Sequence, residues 1–263
     1  MSLPKLQVEG LSKVFGVNGA SFPVLEGVDL VVFPREFVSI LGPSGCGKSS
    51  LFNILVGLLP PTSGTIRCDG TPVQGVSGLF GYMLQRDLLL PWRTVLGNAI
   101  IPLEIGGTPR EKALAEARAL LPQFGLQGFG DYYPAMLSGG MRQRVALLRT
   151  FLQHRDILLL DEPFGALDAM TRSLMQQWLL GLWQEWKSTI LFVTHDVDEA
   201  ILLSDRIYVM TARPGRVKLE KTVTLTRPRP PVAEILPEFT SLKRELLEMI
   251  QEESVRAFQE EAS

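Results

Sequence analysis

The sequence predicts an α/β fold in three parts: a mixed, largely parallel sheet with covering helices, an N-terminal antiparallel β subdomain, and an inserted α-helical subdomain. Three observations lead there. The first third breaks into short β-branched runs separated by Gly and Pro, the pattern of antiparallel strands. The middle third is rich in Ala and Leu at helical spacing, which favours helix. Beyond it, continuous apolar runs alternate with helical patterns, as parallel strands buried on both faces require.

Each element has its own signal. Residues 5–9, 24–33 and 65–69 read as strands of the antiparallel part. Residues 37–41 form a short apolar strand running into a glycine-rich loop, and 49–58 carry apolar residues at helical spacing. Thr108-Pro109-Arg110-Glu111 supplies a cap, a proline at the first helical position and an acid, so a helix is expected over 108–124. Another is expected over 139–154. Residues 157–160 and 190–194 are the buried parallel strands, with 171–186 as the crossover helix between them. Asp196 is an N-cap candidate for the next helix. Residues 206–210 and 217–225 read as closing strands around a Pro214-Gly215 turn. A proline-rich stretch, 226–237, reads as an extended connector. Leu242, Leu246, Met249, Ile250 and Val255 then mark a terminal amphipathic helix over 241–258. The expected domains are a discontinuous α/β core (1–85 and 153–225), a helical subdomain (86–152) and a C-terminal extension (226–263).

Composition narrows the function. With 263 residues, 46% apolar and 21% charged, the chain can bury a sizeable core. Its 26 basic and 28 acidic residues, net −2, give no reason to expect a nucleic-acid partner. Two cysteines, Cys46 and Cys68, cannot build a metal or disulfide framework. The start lacks a signal-peptide pattern and no apolar run is long enough to span a bilayer. These features predict a cytoplasmic protein, so in any membrane process another chain would supply the pore.

Three motifs carry chemistry. Gly42-Pro43-Ser44-Gly45-Cys46-Gly47-Lys48-Ser49 fits the phosphate-loop pattern. Glycines let backbone wrap around phosphates without Cβ clashes. Successive N–H groups make an anion-binding concavity, and the following helix adds its positive N-terminus. Lys48 is expected on the β- and γ-phosphates and Ser49 on Mg²⁺. The run Ile157–Leu160 ends in Asp161-Glu162, placing carboxylates at a sheet's carboxyl edge, where α/β folds bind ligands. Asp161 suits Mg²⁺ and Glu162 the attacking water. The third motif is Leu137-Ser138-Gly139-Gly140-Met141-Arg142-Gln143, a helix start with a hydroxyl and bare backbone.

That third segment resembles the signature of ATP-binding cassette proteins, and with the phosphate loop it makes the core a P-loop NTPase by resemblance. The resemblance covers the chain from about residue 6 to 225. It implies that Ser138, Gly139 and Gly140 bind nucleotide, Ser138 and Gly140 on the γ-phosphate of ATP held by the opposite subunit. Gln85 resembles the Q-loop glutamine that senses Mg²⁺ and the attacking water. Ala166-Leu167-Asp168 resembles the D-loop, which crosses the dimer interface. His195 resembles the switch histidine on the γ-phosphate. Phe15 stands where the family usually has an adenine-stacking tyrosine; it is either that platform or ordinary core. Ser50 replaces a common threonine at the end of the loop. His154 has no such match and reads as structural. The implied set is then Lys48, Gln85, Glu162 and His195 for catalysis, Phe15, residues 42–50, Gln85, Asp161, Ser138, Gly139, Gly140 and Asp168 for ATP, and Ser49, Gln85 and Asp161 for Mg²⁺.

Residues 90–95, 164–168 and 212–216 resemble importers for nitrate, sulfonate or taurine, and 146–151 resembles relatives importing pyrimidine precursors. The implied assembly is a head-to-tail homodimer with integral membrane permease subunits and a separate substrate-binding protein, the chain lying on the inner membrane face. An exporter motor and a non-transport cassette ATPase are the alternatives. Two features stay open at the sequence level. The apolar run 88–92 is either subdomain core or the border of a permease groove. Cys46 is either an activated thiol, its pKa lowered by nearby positive character, or an inert filler.

Overall fold

The computed structural model describes residues 3–17, 20–75, 78–165, 167–227, 229 and 231–261. In chain order these form β1 (Leu6–Val17), β2 (Ala20–Val32), β3 (Phe37–Leu41), α1 (Lys48–Leu55), β4 (Ser63–Cys68), β5 (Thr71–Pro72), β6 (Phe80–Met83), α2 (Val95–Ala99), α3 (Ile101–Ile105) and α4 (Arg110–Leu120). They continue with α5 (Gly139–Phe151), β7 (Ile157–Asp161), α6 (Ala169–Trp186), β8 (Thr189–Thr194), α7 (Val197–Leu203), β9 (Arg206–Met210), β10 (Val217–Thr222) and α8 (Pro237–Glu261). The chain divides into two compact units, Met1–Phe80 with Lys187–Ser263, and Gly81–Trp186.

The first unit holds an antiparallel sheet in the order β2-β1-β4-β5. It also holds β10-β9-β3-β8, in which β3 runs parallel to both β8 and β9 and β10 closes antiparallel on β9. Every residue of β3 and β8 is buried, which is why both read as unbroken apolar runs. Their register pairs Phe37 with Ile190 and Leu41 with Thr194. The two strands therefore end side by side, and the segments that follow, 42–49 and His195, leave from the same edge.

The C-terminal segment completes this unit's core. Phe239, Leu242 and Leu246 of α8 pack against Val197, Ala200, Ile201, Val209 and Val223, and Lys221–Glu245 and Lys243–Asp198 pairs, each at 2.7 Å, flank the contact. The helix is longer than the expected 241–258, and Val255, counted on its apolar stripe, is 56% exposed. The expected extended connector contains a 3-10 turn at Pro231–Ile235; Pro228 and Pro230 of that stretch lie outside the described residues. Arg229 is buried there, donating to the carbonyls of Ile201 at 2.8 Å, Ser204 at 2.6 Å and Leu225 at 2.8 Å. Its cation satisfies carbonyls at the negative end of α7. Strand β10 stops at Thr222 rather than 225.

In the second unit β6 and β7 are neighbours and α2 to α5 supply the helices expected between 86 and 152. An edge-to-face aromatic cluster anchors it: Phe124 meets Phe151 at 5.6 Å and Trp178 at 5.3 Å, and Phe151 meets Trp186 at 4.8 Å. The helix expected over 108–124 is shorter. Pro109 is its extended N-cap residue (ψ 134°), not the first helical residue, and no side chain caps it. It stops ahead of Pro122, which has no N–H to continue the ladder. Helix α5 likewise ends at Phe151, and His154 adopts a left-handed φ of 51°.

Candidate functional site

In the first unit the phosphate loop runs from the end of β3 into α1. Gly47 caps the helix at φ 104°, and a methyl group there would meet Leu25 Cδ2 at 2.7 Å, so only glycine fits. Lys48 is 5% exposed. Its ammonium donates to the carbonyls of Gly42 at 2.8 Å and Pro43 at 2.9 Å, curling the side chain back over the loop. Ser44, Gly45 and Ser49 are exposed and Ser50 half-buried. Cys46 is 1% exposed, and burial pushes its thiol up despite the charge and hydrogen bonds of Lys48, which pull it down. Of the two alternatives for Cys46, its burial supports the inert filler: desolvation outweighs the positive character of the loop.

His195 is exposed immediately after β8, beside the phosphate-loop edge. The turn beneath it is fixed by its neighbours. Thr194 donates its hydroxyl to Glu199 at 2.7 Å and accepts from the N–H of Asp196 at 3.0 Å. Asp196 caps α7 by accepting from the N–H groups of Asp198 and Glu199. Phe15 on β1 is half-buried, paired across from Phe22, with the Lys13 ammonium 4.9 Å from its ring centroid. It is not a fully buried core ring, and part of its surface remains within reach of a ligand.

In the second unit β7 delivers Asp161, 3% exposed, and Glu162 directly after it. The Tyr82 hydroxyl donates to Asp161 Oδ2 at 3.4 Å; burial first, and the Asp161 charge second, push that phenol up, so it remains a donor. Glu162 sits at φ 45°, a conformation L-residues with side chains seldom adopt. Its Oε2 accepts from Gln85 Nε2 at 3.1 Å. The structure thus joins two residues that the sequence could connect only through their order in a motif series.

Ser138 caps α5 by accepting from the N–H of Met141 at 3.3 Å. Ser138 and Gly139 are exposed while Gly140 is buried, where a methyl would meet Thr171 Cγ2 at 2.9 Å. The signature turn is therefore an open helix N-terminus with bare backbone at its mouth. Asp168 accepts from the Thr171 N–H at 3.0 Å and its hydroxyl at 2.7 Å. Those bonds lower its carboxyl and give it a capping role at α6. Ala166 lies outside the described residues.

The segment 87–94 is held by groups that sequence reading missed. Arg149 donates to the carbonyls of Asp87 at 2.6 Å and Leu88 at 2.9 Å. Asn98, fully buried, donates to the carbonyls of Leu90, Arg93 and Thr94 and accepts from the Leu90 N–H. With the backbone so held, Leu88 and Trp92 turn outward, 49% and 72% exposed, while Leu89 and Leu90 are half-buried. The core alternative for Trp92 is excluded. His154 pairs with Glu116 at 2.7 Å, the structural place its lack of a motif implied.

The donors Ser49, Gln85 and Asp161 are all oxygen ligands, with one carboxylate among them. Among the described residues no cluster of three His, Cys, Asp or Glu side chains could cage a metal. Oxygen donors of this kind, Ser49 in the first unit and Gln85 and Asp161 in the second, are the type Mg²⁺ takes, since it keeps waters and binds one or two carboxylates together with substrate phosphates.

A phosphate loop, a strand ending in paired carboxylates and a serine-capped glycine helix start define an ATP-hydrolysing cassette. The chain belongs to the ABC transporter family, whose model matches residues 25–165. It is 43% identical to the formylaminopyrimidine import ATP-binding protein of Halalkalibacterium halodurans, over 90% of this chain and 94% of that one. It is 44% identical to the taurine import ATP-binding protein of Pseudomonas putida, over 81% of this chain and 80% of that one. A dimeric post-hydrolysis ATP-binding cassette bound to ADP and Pi superposes with a TM-score of 0.73 at 30% identity, covering 84% of this chain and all of its own. The chain is an ABC-type ATPase that binds ATP. No helix among the described residues is long and apolar enough to cross a membrane.

Proposed function

We propose that this chain is the energy-coupling subunit of a membrane importer for a small solute of the nitrate, sulfonate, taurine or pyrimidine-precursor type. The observation that carries the reading is the open signature turn at Ser138 in a chain that import-type relatives match over 90% and 81% of its length. Residues 42–50 hold the phosphates, and Lys48 exchanges its two loop carbonyls for phosphate oxygens. Phe15 supplies a ring face for adenine. Ser49, Gln85 and Asp161 would hold Mg²⁺, which when bound neutralises charge on the phosphate oxygens. Glu162 orients the attacking water, and Gln85, hydrogen-bonded to it, reports on that position. His195 binds the γ-phosphate. The chemistry is positioning and electrostatics.

Ser138, Gly139 and Gly140 face the γ-phosphate of ATP on a second copy, giving a head-to-tail homodimer, with Asp168 near the crossing. ATP closes the pair through contacts it makes only in the closed form, and hydrolysis releases them. Permease subunits receive this motion at the exposed Leu88 and Trp92 on the inner membrane face, and a separate substrate-binding protein delivers cargo. The test is Glu162→Gln with ATP. The variant should run as a dimer on size exclusion and hydrolyse ATP at least ~100-fold more slowly than wild type. A monomer at saturating ATP even beside the permease, or a wild type that never cleaves ATP, would sink the reading. Copurification of a permease separates it from a non-transport ATPase.

A further inference from the structure

Helix α8 carries a carboxylate that no nucleotide role uses. Glu253 is 1% exposed, and an ion so placed is costly unless its oxygens are paired. Both are. Oε2 accepts from the Ala212 N–H at 2.9 Å. Oε1 accepts from Lys218 Nζ at 2.7 Å and lies 3.5 Å from Arg256 Nη1. Burial works to raise this carboxyl, but the Lys218 and Ala212 donors and the two cations outweigh it and bring it down. Glu253 is thus a fixed anion locked onto one backbone N–H.

Ala212 opens the turn between β9 and β10. That turn is closed by the Thr211 N–H on the Arg216 carbonyl at 2.9 Å and the Thr211 hydroxyl on the Pro214 carbonyl at 3.0 Å. It meets the phosphate loop twice. Arg213 donates through Nε at 3.3 Å and Nη2 at 3.1 Å to the Gly45 carbonyl. Gly215 lies against the Cys46 carbonyl so closely that any Cβ would overlap that oxygen. The same glycine is tied to β2, donating to the Val24 carbonyl at 2.9 Å and accepting from the Glu26 N–H at 3.0 Å. A peptide is planar and trans. Holding the Gly45 carbonyl outward therefore aims the Cys46 N–H inward, where it meets the Pro43 carbonyl at 3.4 Å, long for a hydrogen bond and open to a better acceptor.

We propose that Glu253 is a positioning residue for the nucleotide site: through Ala212 and the 211–216 turn it fixes the Gly45–Cys46 peptide of the phosphate loop, so that the terminal helix sets ATP affinity. This rests on residues 42–50 being the phosphate site. The same helix supplies an internal control. The Lys243–Asp198 pair also anchors α8 but touches neither the turn nor the loop.

The test measures ATP affinity and steady-state ATPase on full-length chains. Arg213→Ala and Glu253→Ala should each raise Kd and KM for ATP roughly tenfold, with kcat within about twofold. The double variant should be no worse than Arg213→Ala alone, because two links of one chain do not add. Glu253→Gln keeps an acceptor for the Ala212 N–H and should stay within about twofold of wild type. Lys243→Ala should lower the melting temperature and leave Kd unchanged. Multiplying effects in the double variant, a wild-type Kd in Glu253→Ala, or an equal rise in Lys243→Ala would overturn the proposal. If Glu253→Ala does not fold, the exposed Arg213→Ala decides alone, and an unchanged Kd overturns it. A wild type that binds no ATP would instead sink the assignment of the phosphate site.

Discussion

Lys48 shows how much of the chemistry is prepared by single residues. An ammonium held on two carbonyls of its own loop keeps its charge in a buried place, because the carbonyls replace part of its water. Lys48→Ala removes that charge at the phosphates and should weaken ATP binding at least about 100-fold in equilibrium titration. Cys46 behaves oppositely. Burial holds it as a neutral thiol, so maleimide should leave the ATPase intact near pH 7. Labelling should accelerate only as pH rises past the usual thiol range, because the anion forms only there; rapid inactivation at pH 7 would contradict this. Glu162 joins a left-handed backbone to the water-orienting role proposed for it. Glu162→Gly relieves the left-handed backbone and deletes the carboxylate. Its melting temperature should hold while ATP turnover falls at least ~100-fold; parallel loss of both would assign Glu162 a structural role instead.

Among elements, α8 and the segment around α2 carry the clearest expectations. Truncation before Pro237 would uncover Ile201, Val209 and Val223, now packed on Phe239, Leu242 and Leu246. Losing even one such large buried side chain costs about 2–5 kcal/mol, so the truncated chain should melt well below wild type or aggregate, as scanning calorimetry would reveal. The 87–94 segment is the converse case, a loop whose backbone is pinned while Leu88 and Trp92 face outward. Trp92→Asp should therefore leave ATPase activity of the isolated chain unchanged while lowering permease copurification. Equal loss of both would mean that Trp92 packs inward.

For the molecule as a whole, what could be read from the sequence was local. The phosphate loop, the Asp161-Glu162 strand end and the Ser138 turn are contiguous strings whose chemistry follows from residue type and order. The buried parallel strands were legible because burial on both faces leaves no alternation to misread. Tyr82 on Asp161, Arg213 on Gly45 and Glu253 on Ala212 were not, since each joins residues far apart in the chain whose types are common on any surface. The α4 boundary failed for a different reason: Thr108-Pro109 is a genuine helix-start pattern, but the backbone turned one residue later. Asp168 shows the reverse, a residue placed by its motif that also has an ordinary job as a helix cap.

The pairing of Leu41 with Thr194 has a consequence for how such an enzyme can fail. The hydrogen-bond ladder between β3 and β8 works as a ruler that sets how far the phosphate loop begins from His195. A slip of one rung would turn every side chain of the moving strand to the opposite face and displace the histidine by one strand rise. An insertion or deletion inside either strand should therefore silence ATP turnover with every reactive side chain still present.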